Sequence, residues 1–147
     1  MKQHVWVIGA AAGLFGAVVG YMIPRSFITD WIYRQILPSG WAWMLFISTF
    51  GFITVLVPYF VAAAAGMVAG TALAAGKTML VLLSAGIILH SSGMFAISYV
   101  FWATREYLVL REYQYRELAE ILKPSLILSI SGLALIALYF SLAGWPP

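Results

Sequence analysis

The 147-residue chain contains no cysteine, which excludes disulfides and thiolate metal sites. Charge is almost as scarce. Charged residues make up 9% of the chain, against about 25% in a soluble domain. All five carboxylates, Asp30, Glu106, Glu112, Glu117 and Glu120, lie in two connecting stretches. The long apolar runs therefore hold no Asp, Glu, Lys or Arg. That is a poor endowment for an ion-coupled pump, which usually carries ionisable groups at mid-membrane. No nucleophile, base and orienting acid can be assembled inside such runs either. A glycine-rich phosphate loop, an HExxH zinc motif and paired carboxylates are all missing. The net charge of +3 comes without a basic stripe, so nucleic acid is not an expected partner.

Hydrophobic residues fill 63% of the chain. The expected class is a single integral membrane domain over residues 1–147, multi-pass, in the cell membrane, and all-α. Lipid head groups are the natural anionic neighbours of the basic residues beside the apolar runs.

The first run is Val5 to Ile23. It follows a short basic start, but no Ala-x-Ala cleavage pattern follows it, so a retained span is expected. Gly9, Gly13, Gly16 and Gly20 recur three or four apart. That spacing puts a groove of small residues on one helix face, a packing signal in lipid. Packing within the chain is favoured over a groove for a second protein. From about 25 to 37, Phe27, Trp31, Ile32 and Ile36 share a face, which suits an interfacial helix. Pro38-Ser39-Gly40 ends it.

Trp41 to Ala75 runs 35 residues without a charge, too long for one upright span and barely enough for two. Pro58 near its middle predicts a kink or a turn. Lys and Arg accumulate in cytoplasmic loops, so the two readings are weighed by charge. One span here gives four in all and puts Arg25, Arg34, Arg105, Arg111, Arg116 and Lys123 opposite Lys2 and Lys77. Two spans give five in all and a five-to-three division. The expectation is four spans with both termini outside; the five-span alternative has two short spans with a tight turn near Pro58, a break that would be re-entrant and not a full loop. Gly66 and Gly70, flanked by Ala62 and Ala74, repeat the small-residue spacing of the first run. These two helices can therefore pack on each other.

Met79 to Trp102 is uncharged over 24 residues, enough for a core of about 30 Å. His90, Ser91 and Ser92 sit near its midpoint. His90 has two readings: a metal or haem ligand or proton relay, or an imidazole paired across helices. The second is favoured, because zinc wants three or four ligands and a buried polar group must find a partner. No catalytic, cofactor-binding or metal residue is otherwise assigned, and no cofactor is expected.

Ala103 to Leu122 holds Arg-Glu dipeptides at 105, 111 and 116. Glu112 with Arg116, and Arg116 with Glu120, have i,i+4 spacing. A charged helix is expected here, with Arg105, Arg111, Glu112 and Arg116 as a candidate docking surface for a partner, set evenly against a self-paired solvated face. Lys123 to Gly144 is the last span, with Pro124 expected in its first turn and Ser129, Ser131 and Gly132 forming a mildly polar patch.

From about Phe50 onward the chain resembles the stage II sporulation protein M family of small polytopic membrane proteins. The similarity lies in the glycine-rich helix Ala62-Ala63-Ala64-Ala65-Gly66-Met67-Val68-Ala69-Gly70 and in the following Leu89-His90-Ser91-Ser92-Gly93-Met94-Phe95-Ala96. The family's pattern there is Pro-His-Gly-x-x-Glu. His90 is retained, Leu89 replaces the proline, Ser91 the glycine, and the acid is absent. The resemblance implies a scaffold or permease-associated subunit acting through partners. Sequence and resemblance together favour a non-catalytic subunit rather than an enzyme. It would stabilise a larger complex with other integral membrane subunits, lipid or further copies of itself. A small transporter with a path near His90 is the alternative.

Overall fold

In the computed structural model, residues 5–22, 40–51, 54, 56–107 and 115–143 are described, with 103–107, 115–118 and 143 described through their backbone only. Five helices follow one another: α1 (Trp6–Met22), α2 (Gly40–Phe50), α3 (Leu56–Ala74), α4 (Thr78–Tyr107) and α5 (Tyr115–Ala143). Three stretches are long and apolar enough to cross a membrane: Leu56–Ala74, Thr78–Trp102 and Ala119–Leu142. They mark the chain as a membrane protein. The interfacial helix expected at about 25–37 lies outside the described residues. Of the charged helix expected at 103–122, the last turn of α4 and the first turns of α5 are helical, and 108–114 lie outside the description.

α1 is built with its small residues inward and its large ones outward. Gly9, Ala12, Gly13, Gly16 and Gly20 are its buried positions, while Leu14, Phe15, Val18 and Met22 are exposed. In lipid, oily side chains gain nothing by hiding from their surroundings, so close backbone approach decides which face turns inward. The face opposite is Gly66 and Gly70 of α3. A methyl group on Gly66 would strike the backbone of Gly13 and Ala17; one on Gly16 would strike that of Ala63 and Met67. The contacts advance together along both helices, from Gly13 beside Ala62 to Tyr21 beside Gly70. α1 and α3 are therefore parallel. At its end, α1 leaves the carbonyl of Gly20 without a helical donor; the Thr71 hydroxyl donates to it at 3.3 Å.

Parallel packing of α1 and α3 requires the chain to return to its starting face between them. α2 begins that return. Trp41 lies against Phe140 at a centroid distance of 4.7 Å, near the end where α3 turns into α4. Ser48 and Thr49 reach Ser91 and His90 at the middle of α4. α2 has 11 residues, about 16 Å at 1.5 Å per residue, roughly half the hydrocarbon core. Gly51 closes its last turn onto the Ile47 carbonyl at 2.7 Å, and α3 starts afresh at Leu56 beside the far end of the bundle, where Tyr59 meets Phe95. The uncharged run thus divides into two helices of opposite direction.

This corrects two expectations. The division falls at Gly51, not at Pro58, which sits in the first turn of α3 where its missing N–H removes no bond. α1 also starts and α5 ends at opposite ends of the bundle, where the expectation had them on one side, because α4 is antiparallel to α1 (Gly9 beside Ser92, Gly13 beside Ile88) and to α5 (Gly93 beside Ser125, Gly86 beside Ile136). Among the basic residues in described helices and turns, Arg105, Arg116 and Lys123 lie toward one end of the bundle and Lys77 toward the other. Pro124 is a third correction. It is the tenth residue of α5, where, lacking an N–H, it makes no helical bond to the Glu120 carbonyl. Ser125, next to it, donates its hydroxyl to the Ile121 carbonyl at 2.6 Å.

The α3–α4 turn is fixed locally. Gly76 has φ +74°, Lys77 N–H donates to the Ala72 carbonyl at 2.8 Å and Gly76 N–H to Leu73 at 3.2 Å. That pair of bonds around a left-handed glycine stops a helix sharply.

Candidate functional site: a polar layer around His90

Two apolar clusters fill the bundle. One, at the end near the α3–α4 turn, joins Val61, Ala65, Leu83, Ile87 and Ile136. The other, at the opposite end, joins Val5, Phe95, Ala96, Val100 and Ile121. Between them lies a polar layer: Ser48, His90, Ser91, Ser92, Ser125 and Ser129, all buried, with Thr49 at its edge.

His90 is 3% exposed. Its Nε2 lies 2.8 Å from Thr49 Oγ1 on α2. Its Nδ1 lies 2.8 Å from Ser129 Oγ and 3.3 Å from the Ser129 carbonyl on α5. Both neutral tautomers are satisfied by these partners. With the proton on Nε2, the ring donates to Thr49 and accepts the Ser129 hydroxyl. With it on Nδ1, the ring donates to Ser129 and accepts the Thr49 hydroxyl. One step along α4, Ser48 donates to Ser91 Oγ at 3.1 Å. Ser92 turns the other way and donates to its own helix, at the Ile88 carbonyl, 2.7 Å distant.

The close approach that brings Ser129 to His90 is made by Gly132 and Gly93. A methyl on Gly132 would meet the His90 backbone, and one on Gly93 would lie 2.7 Å from Ser129 N. The glycines are thus part of the site: they set the seam at which the imidazole reaches both neighbouring helices.

The chemistry open to this arrangement is narrow. A serine hydroxyl beside an imidazole supplies two parts of a nucleophilic triad, but the second ring nitrogen meets a threonine instead of a carboxylate. Ser129 is also 6% exposed and wedged against Gly93. Among the described residues no three of His, Cys, Asp and Glu come together as a metal site. What the layer does physically is join three helices through one side chain.

Gly9, Gly13, Gly16 and Gly20 meet α3 and α4, and Gly66 and Gly70 meet α1. These faces are covered by the chain's own helices, so they are not open seats for a partner. The backbones of Arg105 and Arg116 belong to α4 and α5, without described side chains; Arg111 and Glu112 lie outside the described residues. Ser48 and Thr49 are site residues that the sequence reading passed over. The signal was present: an adjacent hydroxyl pair in the otherwise oily stretch Trp41 to Phe52. An open apolar groove of about 680 Å³ between α1 and α3, lined by Leu14, Val18, Tyr21, Met22 and Leu73, contains no residue of the polar layer.

Compared with protein families, with curated proteins and with solved structures, the chain finds no match in any of the three.

Proposed function

We propose that this chain is a non-catalytic subunit that stabilises a larger assembly of integral membrane proteins in the cell membrane. The observation that carries the reading is that both ring nitrogens of His90 are engaged by hydroxyls of neighbouring helices. The interior is thereby devoted to holding this chain together. The outward faces remain for neighbours. α5 is the clearest case: 28% of its span is buried, against 56% and 61% for the spans of α3 and α4, and Ile127, Ile130 and Leu138 point away from the bundle. Partners would therefore meet α5 and the outer side of α1, with the charged stretch from Arg105 to Lys123 contacting a neighbour at the membrane surface. The resemblance to the sporulation protein M family favours the same class.

The test is mild-detergent extraction of the native protein, with mass measurement and identification of what travels with it in fixed stoichiometry. The expected result is a particle well above 16.1 kDa, whose other integral subunits lose abundance when this chain is deleted. A monodisperse single chain, with unchanged neighbours in the deletion strain, would sink the proposal.

One observation favours a second reading, a small transporter. α2 is a half-length helix that stops at a buried polar layer, and helices broken inside the bundle are tolerated within protein or beside an aqueous cavity and are common in transport folds. That reading predicts solute flux by the purified chain in liposomes, reduced by H90A. Flux indistinguishable from empty vesicles would remove it.

A further inference from the structure

α2 is held unlike the other helices. Its single buried residue is Ser48, whereas α3 buries ten of its residues. Trp43, Phe46 and Phe50 are 63%, 55% and 65% exposed on its outer side and stack on one another at 5.9 and 4.9 Å. At its inner end it grips the bundle through hydroxyls: Ser48 on Ser91 Oγ at 3.1 Å and Thr49 on His90 Nε2 at 2.8 Å. The two α4 groups it touches are adjacent in sequence and face the same helix. Nδ1 of His90 is paired separately, with Ser129 of α5, and makes no contact with α2.

We propose that His90 Nε2 and Ser91 Oγ form a two-point binding site for water or a small hydroxyl-bearing solute, and that α2 is a releasable strap whose Ser48 and Thr49 hydroxyls occupy that site from within the chain. Each hydroxyl stands where a solute oxygen would stand. The exchange is nearly balanced, since a hydroxyl of the chain is traded for a hydroxyl of the solute at both points. Trp41, Met44 and Leu45, at the other end of α2, pack against the core, so what is released is the inner end of the helix, at Ser48 and Thr49. The site goes beyond the subunit role proposed above and does not depend on it.

The absence of native cysteine makes a direct test available. The full chain carrying S91C is placed in liposomes and treated with methyl methanethiosulfonate. This reagent reacts with the thiolate, which forms only where water reaches the sulfur. Labelling of S91C is expected to be measurable, to rise about tenfold when T49V removes the clasp at His90, and to fall back with T49S. S92C, which faces α1 at Gly9, is the control and is expected to change less than twofold. Oxidation of an S48C/S91C pair should form an intrachain disulfide and abolish labelling at 91. The proposal is overturned by S91C that stays unlabelled in every background. It is equally overturned by a rate that T49V leaves within twofold, or by an S92C rate that rises in step, which would mean the whole bundle had loosened.

Discussion

Adding one methyl group at Gly66 should weaken the bundle by forcing apart two backbones that touch directly. In G66A the new Cβ meets only backbone: the Gly13 carbonyl oxygen, the Gly13 carbonyl carbon at 2.8 Å and Ala17 N at 3.0 Å. No flexible side chain can step aside, so α1 and α3 must separate by about an ångström. A gap of 0.5–1 Å forfeits roughly a quarter to a half of each pairwise attraction of about 0.1–0.2 kcal/mol. Over several tens of atom pairs along the seam that is about 1–4 kcal/mol. Lost Cα–H to carbonyl contacts add about 0.5–1 kcal/mol each, and alanine's better helix propensity returns up to about 1 kcal/mol. The net expectation is a loss of about 2–4 kcal/mol. It should be read by tryptophan fluorescence during reversible unfolding in mixed micelles of mild detergent and dodecyl sulfate. G66L should exceed G66A, and A64G, on an exposed position of the same helix, should lose no more than about 1 kcal/mol. A G66A protein within 0.5 kcal/mol of the parent would refute the claim that backbone contact joins these helices.

Three further outcomes follow from the same geometry. H90L removes the side chain that joins α2, α4 and α5; with interhelical bonds in membranes averaging about 0.6 and reaching about 1.7 kcal/mol each, the loss should be about 1–3 kcal/mol, measured in the same unfolding assay, and H90Q should recover part of it. G76A forces a left-handed backbone on a residue with a Cβ, at a position with open space around it, so it should cost about 1–2 kcal/mol through the turn alone, without altering the detergent-resistant mass. Reporter fusions at the two ends should fall on opposite sides of the membrane; the same reporter signal from both ends would contradict the antiparallel order of α1, α4 and α5.

Much of the fold was legible in the residues because lipid simplifies the rules. Uncharged runs announce helices, and no strand occurs among the described residues. The breaks were harder to place. Pro58 looks like an interruption, yet three residues into a helix it interrupts nothing; Gly51, with no proline beside it, is where α2 ends. Pro124 reads as a helix start and lies in an interior, because the helix is extended backwards by the polar residues from Tyr115 on. In each case proline marks where a bond is missing, while the helix boundary is set by whether neighbouring elements make continuation favourable. The site was half legible. His90 and the serines beside it stood out as the polar centre of an oily run. Thr49 did not, since a hydroxyl in a helix usually satisfies itself on its own carbonyls, and only the pairing of distant helices shows which hydroxyl turns outward.

The half-length α2 follows from a constraint, not from its own sequence. Glycine faces on α1 and α3 join in the parallel sense, with Gly16 and Gly20 of one helix against Ala63 and Met67 of the other. Two helices joined by a short connection run antiparallel. A parallel pair obliges the chain to travel back across the bundle between them. A full-length returning helix would need its own face on a bundle whose small-residue seams are already taken: α1 on α3, and Gly86 and Gly93 of α4 on α5. α2 instead crosses half the depth on a polar foothold and completes the return beyond Gly51. The hydroxyl pair at its inner end is what holds it there, through Ser91 and His90 of α4, since buried hydroxyls need partners. The imidazole at the middle of α4 supplies one, and for that reason its position, more than its reactivity, ties it to the architecture.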